Sequence, residues 1–242
     1  MTVTTGHQQV ASAAPASQTL SRGIRILEIL ADAREPLGID EVAHRLDVHR
    51  SIAYRLLRTL EDHGLVTRDS AGRISLGARM AALAAGVARD LQAAALPELT
   101  TAANDLGMTC FLAVLDHDQC VTLVSAEPHH TVASVVQRPG ARHPVTAGAP
   151  AKAILSILPR SEWPADASDL LREQVAEAAT RGYATSHDEV IPTVQSVAVP
   201  LALRGRGPAA IAVVHLAREL DPARIASRLE VAARMIRDAL QG

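Results

Sequence analysis

From His49 to Thr59 the chain reads HRSIAYRLLRT, a stretch without one acidic side chain. Ser51, Tyr54, Arg55 and Arg58 fall at i, i+3, i+4 and i+7, which gathers them on one face of a helix. His49 and Arg50 stand at the leading end of that face. Guanidinium groups take phosphate or the edge of guanine through paired hydrogen bonds, and Tyr and Ser hydroxyls donate to phosphate. This is the chemistry of a helix in the major groove of double-stranded DNA. Three arginines on an isolated helix are more often a solvated surface, so the neighbouring elements decide.

Ala53, Leu56, Leu57 and Leu60 repeat the spacing on the reverse side, which predicts a helix from about Arg50 to His63, stopped by Gly64. Ahead of it, Leu20, Ile24, Leu27 and Ala31 mark a first helix from about Thr19, capped by Thr19 or Ser21 and ending before Pro36. Asp40 is expected to cap a short second helix, with Val42, Ala43 and Leu46 inward and LDVHR as a tight break. LVTRDSAGRISLG reads as two strands around a turn at Asp69 to Gly72. Together these make a winged helix-turn-helix. Its candidate DNA-binding residues are His49, Arg50, Ser51, Tyr54, Arg55 and Arg58, with Arg68 and Arg73 at the base of the hairpin.

The whole-chain averages neither support nor oppose this. A net charge of -2 over 242 residues carries no electrostatic signature of nucleic acid binding, so the function rests on local placement. Of 24 basic residues only Lys152 is lysine. No apolar run approaches the roughly 20 residues of a membrane span, and no basic-then-apolar signal pattern opens the chain. A cytoplasmic protein without membrane contact is expected. Cys110 and Cys120 read as reduced, buried thiols.

Domain organisation follows from pattern changes along the chain. Residues 1–18 read as a flexible tail, 19–80 as the winged helix domain, 81–95 as a linking helix and 96–242 as a second domain. Pro97 is expected to break the Ala-rich helix, with another helix from Pro97 to Leu106. Beyond it come a hairpin around Asp116 to Gln119, a strand over 131–140, two helices, a second hairpin and a terminal helix. The order suggests an α+β domain around an antiparallel sheet. In AGAPAKAIL a proline at the first helical position leaves the N–H groups of Ala151 and Lys152 at a helix end that favours an anion. His129, His130 and His187 lack metal-ligand spacing, and no nucleophile elbow, phosphate-binding glycine loop or HExxH arrangement is present. No catalytic residue, metal or cofactor is expected.

LSRGIRILEIL and LGIDEVAHRLDVHRSIAYRLLRTLEDHGLVTRDSAGRISLGARM resemble the DNA-binding half of the IclR family of bacterial transcription regulators. RHPVTAGAPAKAILSILP, RGYATSHDEVIPTVQSVAVPL and AAIAVVHLA resemble its C-terminal half, so the likeness runs from about Leu20 onward. It implies a homodimer or homotetramer on double-stranded operator DNA, with a GAF-like C-terminal domain that binds a small-molecule effector, an organic acid. Matching pocket positions are Thr146, Ala147, Gly148, Ala149 and Pro150, then Ser186, Val194, Ser196, Ala212 and Val214, with Val132 and Val135 on the opposite wall. The family usually has His at position 146, Gly at 151 and 193, and small hydroxyl residues at 212 and 214. A pocket with fewer hydroxyls should prefer an aromatic acid, such as one controlling a catabolic operon. The alternatives are an architectural or dimerisation protein without effector, and a winged helix protein with an enzymatic C-terminal domain.

Overall fold

A computed structural model describes residues 17–33, 35–130, 135–216 and 220–241. The chain divides after Val87 into two compact units. That division lies inside the helix expected over 81–95, which is two separate pieces.

The first unit holds α1 (Gln18–Asp32), α2 (Ile39–Leu46), α3 (Arg50–Asp62), β1 (Val66–Arg68), β2 (Ile74–Leu76) and α4 (Arg79–Ala84). Of the tail expected over 1–18, only Ser17 and Gln18 are described. Ser17 caps α1 by accepting the Leu20 N–H at 3.3 Å, a role expected of Thr19 or Ser21. Gly38, not Asp40, is the N-cap of α2, which leaves Asp40 in the first turn beside the helix dipole's positive end. Ile26, Ile29, Leu30, Val42 and Leu57 bring the three helices together over Val66 and Ile74 of the hairpin. Leu37 exchanges both backbone hydrogen bonds with Ile74, at 2.9 and 2.8 Å, so the α1–α2 connection pins the wing. At Gly77 the chain passes so close to the end of α3 that a Cβ would lie 2.2 Å from Gly64 O. Only glycine allows that return.

The second unit runs through α5 (Arg89–Leu106), β3 (Thr109–Asp116), β4 (Gln119–Ala126), β5 (Arg142–Pro144), α6 (Ala149–Leu155), α7 (Asp169–Arg181), β6 (Ala184–His187), β7 (Val194–Leu201), β8 (Ala209–Leu216) and α8 (Pro222–Gln241). Pro97 lies inside α5 and does not break it. An interior proline costs a helix about 3 kcal/mol, but here Leu91, Ala95, Leu99, Ala102 and Ala103 bury one stripe of α5 in the core, and packing outweighs propensity. The helix instead begins after a turn at 85–88, where Ala88 adopts φ 43°.

The six strands form one antiparallel sheet in the order β5-β4-β3-β8-β7-β6. Period-two alternation gives each face its own core. Val197, Val199, Leu201, Ile211 and Val213 face α5 and α8, while Ala198, Ala210, Ala212 and Val214 face α6 and α7. The strand expected over 131–140 is absent from its described part, 135–140, and the pairing passes to β5 and to β6, which the sequence reading left out.

Candidate functional site

The first candidate site is the outer face of α3. Ala53 and Leu57 are fully buried, which turns the opposite face to solvent. Tyr54 is 48% exposed, and Ser51, Arg55 and Arg58 are exposed beside it. The Arg55 and Arg58 guanidiniums have no ion pair or hydrogen bond among the described residues. Arg50 differs: its Nε lies 3.2 Å from Asp40 Oδ1, an exposed pair that solvent weakens. His49 is the N-cap, with Nδ1 accepting the Ser51 N–H at 3.3 Å and lying 2.8 Å from Ser51 Oγ.

The wing arginines are held by their own hairpin. Arg68 donates to Gly72 O at 3.3 Å and sits 3.7 Å from Glu61 Oε1. Arg73 Nε is 3.3 Å from Asp69 Oδ2, and the Ala71 and Arg73 N–H groups donate to Asp69 Oδ1 at 2.9 and 2.8 Å. The Arg73 N–H above all holds the Asp69 carboxyl below its ordinary range. Asp69 thus shapes the turn, and both wing arginines flank it, at the tip of the hairpin rather than at the base where they were expected.

The second candidate site lies where the sheet faces α6. Ser186, Ser196 and Val214 are direct cross-strand neighbours on β6, β7 and β8, and the row continues to Thr109 on β3. A cavity of about 40 Å³ is lined by Phe111, Gln137, His143, Gly148, Pro150, Ser186, Val190, Ile191, Val194, Ser196 and Val214. Six of the expected pocket residues are there: Gly148, Pro150, Ser186, Val194, Ser196 and Val214. Ala149 and Ala212 are fully buried in the packing of α6 on the sheet and do not reach it; Val135 packs half-buried on the same core. Thr146 and Ala147 belong to the turn before α6, outside the lining, and Val132 lies outside the described residues. Sequence reading missed Phe111, Gln137, His143, Val190 and Ile191. For Phe111 a signal existed, since the chain's one Phe stands on the strand face shared with Ala113.

Pockets that hold organic ligands run to about 300–1,000 Å³, so this cavity takes an organic molecule only if its wall moves. Val190 and Ile191 form that wall in the β6–β7 loop, flanked by Asp188 at φ 58° and Thr193 at φ 66°. A larger cavity of about 440 Å³ opens on the α8 side of the sheet, among Thr185, His187, Gln195 and His215, and also touches Ser186 and Ser196. Its size suits a ligand better, but its lining is mostly polar. The smaller cavity has apolar walls with few convergent polar groups, the composition of an organic-ligand site.

Behind it, Lys152 is 1% exposed. Its Nζ pairs with Glu189 Oε1 and donates to Thr185 O at 3.3 Å, while Glu189 Oε2 accepts the Gly148 N–H at 2.9 Å. This corrects the helix-end expectation. Pro150 is the second residue of α6, the Lys152 N–H is bonded to Gly148 O at 3.3 Å, and the open N–H at Gly148 already holds a carboxylate of the chain itself.

Both thiols are free and buried. Cys110 and Cys120 face opposite sides of the sheet, and burial pushes each thiol up to about 12. Among the described residues no group of three or more His, Cys, Asp or Glu is arranged to hold a metal, and no helix is long and apolar enough to cross a membrane.

Comparison with known proteins matches the IclR helix-turn-helix domain over residues 19–70 and the C-terminal domain of the bacterial transcriptional regulator IclR over residues 84–239. A glycerol operon regulatory protein of Streptomyces griseus is 32% identical over 209 residues, covering 78% of this chain and 80% of that protein. The crystal structure of an IclR regulator from Alicyclobacillus acidocaldarius superposes with a TM-score of 0.79 at 26% identity, covering 93% of this chain and 99% of its own. An IclR homologue from Microbacterium hydrocarbonoxydans, crystallised with 4-hydroxybenzoate, shares the fold at a TM-score of 0.79 and 23% identity, with the same coverage. With one match in each compact unit, the chain belongs to the IclR family: it is a DNA-binding transcription regulator with an effector-binding domain, not an enzyme.

Proposed function

We propose that α3 grips a double-stranded operator through Arg55 and Arg58, assisted by His49, Arg50, Ser51 and Tyr54, and that a small aromatic acid in the α6 cavity alters that grip. The observation that carries the DNA reading is the pair of exposed guanidiniums without a partner among the described residues. Ion-paired cations must first give up their carboxylates, whereas these two need not. Arg68 and Arg73 brace the wing and reach DNA only at its tip. A homodimer or homotetramer presents two such helices to two half-sites.

The effector reading rests on the cavity's composition. Phe111, Pro150, Val190, Ile191, Val194 and Val214 offer an apolar slot, and Ser186 a hydroxyl without a hydrogen-bond partner among the described residues. The acid's carboxylate takes the place of Glu189 on Lys152 Nζ, which reaches the backbone next to Ser186. Displacing Glu189 frees the β6–β7 loop, enlarging the cavity. Such an acid suits control of a catabolic operon, with the acid or its precursor as nutrient. The known 4-hydroxybenzoate complex of a protein of this fold supports the ligand class.

Coupling between the two sites is reciprocal: an acid that changes operator affinity is itself bound with different affinity by the protein on and off DNA. The test is a titration of benzoate and 4-hydroxybenzoate into the protein, free and on its operator duplex. The expected result is a shift in operator affinity of about 5- to 150-fold. Operator binding untouched by any aromatic acid, with no rise in Tm, contradicts the effector reading.

A further inference from the structure

Resting on the aromatic-acid reading, we propose that Gln137 is a specificity-determining residue, selecting a ligand with a neutral hydrogen-bond donor opposite its carboxylate. The cavity has two polar ends. One is the Ser186–Ser196 pair on β6 and β7, next to Lys152. The other is the Gln137 amide, whose Nε2 donates to Thr122 Oγ1 on β4 at 2.7 Å. That bond fixes the amide plane and leaves Gln137 Oε1 without a donor among the described residues. Between the ends lie only apolar groups, Phe111 on β3 and Val214 on β8.

The sheet order sets the span. β4 and β7 are separated by β3 and β8, three strand spacings of about 4.8 Å, and the register sets Thr122 in the row of Pro200, four residues along the strands from Ser196, so the backbones at the two residues lie about 20 Å apart. A benzene ring with substituents at opposite corners, plus a hydrogen bond of about 2.8 Å at each end, covers most of that distance once the side chains reach inward. A benzoate alone leaves Gln137 Oε1 facing apolar ring edge, and a desolvated acceptor without a donor is costly. A ring hydroxyl para to the carboxylate supplies the donor.

A second carboxylate does not fit at this end. His143 lies against Gly148, whose N–H holds Glu189, so it belongs to the carboxylate's side of the cavity. No Lys or Arg lines the cavity among the described residues, so nothing at the Gln137 end balances a second negative charge. The end therefore favours an uncharged donor such as phenolic hydroxyl.

The test is calorimetric titration of the full-length protein with benzoate and with 4-hydroxybenzoate, in the native chain, Gln137→Leu and Thr122→Val. The native protein is expected to bind 4-hydroxybenzoate roughly three- to tenfold tighter than benzoate, the scale of one net hydrogen bond. Gln137→Leu should erase that preference, with benzoate bound up to about tenfold tighter than in the native chain because the unpaired acceptor is gone. Thr122→Val keeps the amide but releases its anchor, and should reduce the preference without erasing it. Benzoate binding with no preference in the native protein, or a preference that survives Gln137→Leu, overturns the role of Gln137 and leaves the aromatic-acid reading standing. Failure of both acids to bind overturns the two together.

Discussion

The two units treat positive charge in opposite ways. In the first, Arg55 and Arg58 stand in solvent without partners among the described residues, on a helix whose other face is buried. In the second, the chain's one lysine is 1% exposed, bonded to a carboxylate and a backbone carbonyl. The difference teaches where binding energy is stored. A surface that meets a polyanion keeps its cations free, and its attraction costs no internal contact. The cavity proposed for a small acid keeps its cation occupied by an internal carboxylate, because an unpaired buried charge is expensive.

The sharpest break of this comparison comes from Lys152→Ala. It takes the cation from Glu189, whose side chain is 26% exposed, and empties the space of a side chain that is 2% exposed, so it should lower the unfolding free energy by about 2 kcal/mol in urea denaturation, mostly through the cavity. Arg55→Ala and Arg58→Ala, by contrast, should change it by no more than about 0.5 kcal/mol. Equal stability effects at Lys152 and Arg58 erase the distinction.

Operator affinity should reverse that order. Arg58→Ala is expected to weaken binding by about 1–3 kcal/mol if its guanidinium reads a base, with specificity relaxed at one position. As a phosphate holder it should weaken all sequences alike and lower the salt slope by about one. Arg73→Ala, whose side chain is tied to Asp69, should cost less than either. A larger loss at Arg73 than at Arg58 moves the recognition surface to the wing.

Val214→Ser sharpens the cavity side. It adds a hydroxyl to the wall that an aromatic ring faces, and should weaken aromatic acids by roughly fivefold, the scale of about 1 kcal/mol for a polar group against apolar surface. Unchanged affinity removes Val214 from the contact.

The smallest effect is pH dependence. Burial lowers the His143 pKa in the folded chain below its ordinary 6.5, so the unfolded state takes up a proton more readily. Its contribution to stability is complete above about pH 6.5 and is lost as pH falls through the lowered folded-state pKa. In His143→Gln, stability measured across that window should lose this part of its slope; an identical slope places the titration elsewhere.

These contrasts also explain what could be read from sequence. The α3 face was legible because helix period and charge together mark an exposed surface, and every residue of it lies within one stretch. The wing was legible from its turn, but the partners of Arg68 and Arg73 were not, since spacing gives position and not hydrogen bonding. Pro97 misled because local propensity yielded to tertiary burial along Leu91, Ala95 and Leu99. The short strands β5 and β6 carry too few residues for alternation to show. The cavity joins Phe111, Gln137, His143, Val190 and Ser196 from separate elements, and no periodicity links them. The Lys152–Glu189 pair spans two elements for the same reason.

The most direct measurement of the central claim is fluorescence anisotropy of the native protein and Arg55→Ala/Arg58→Ala on the duplex upstream of its own gene, against a scrambled duplex, at about 0.15 M salt. The account predicts a preference of roughly a thousandfold for the native protein and loss of most of it in the double variant, which stays folded. Retention of the full preference without both guanidiniums contradicts the assignment of recognition to the open face of α3.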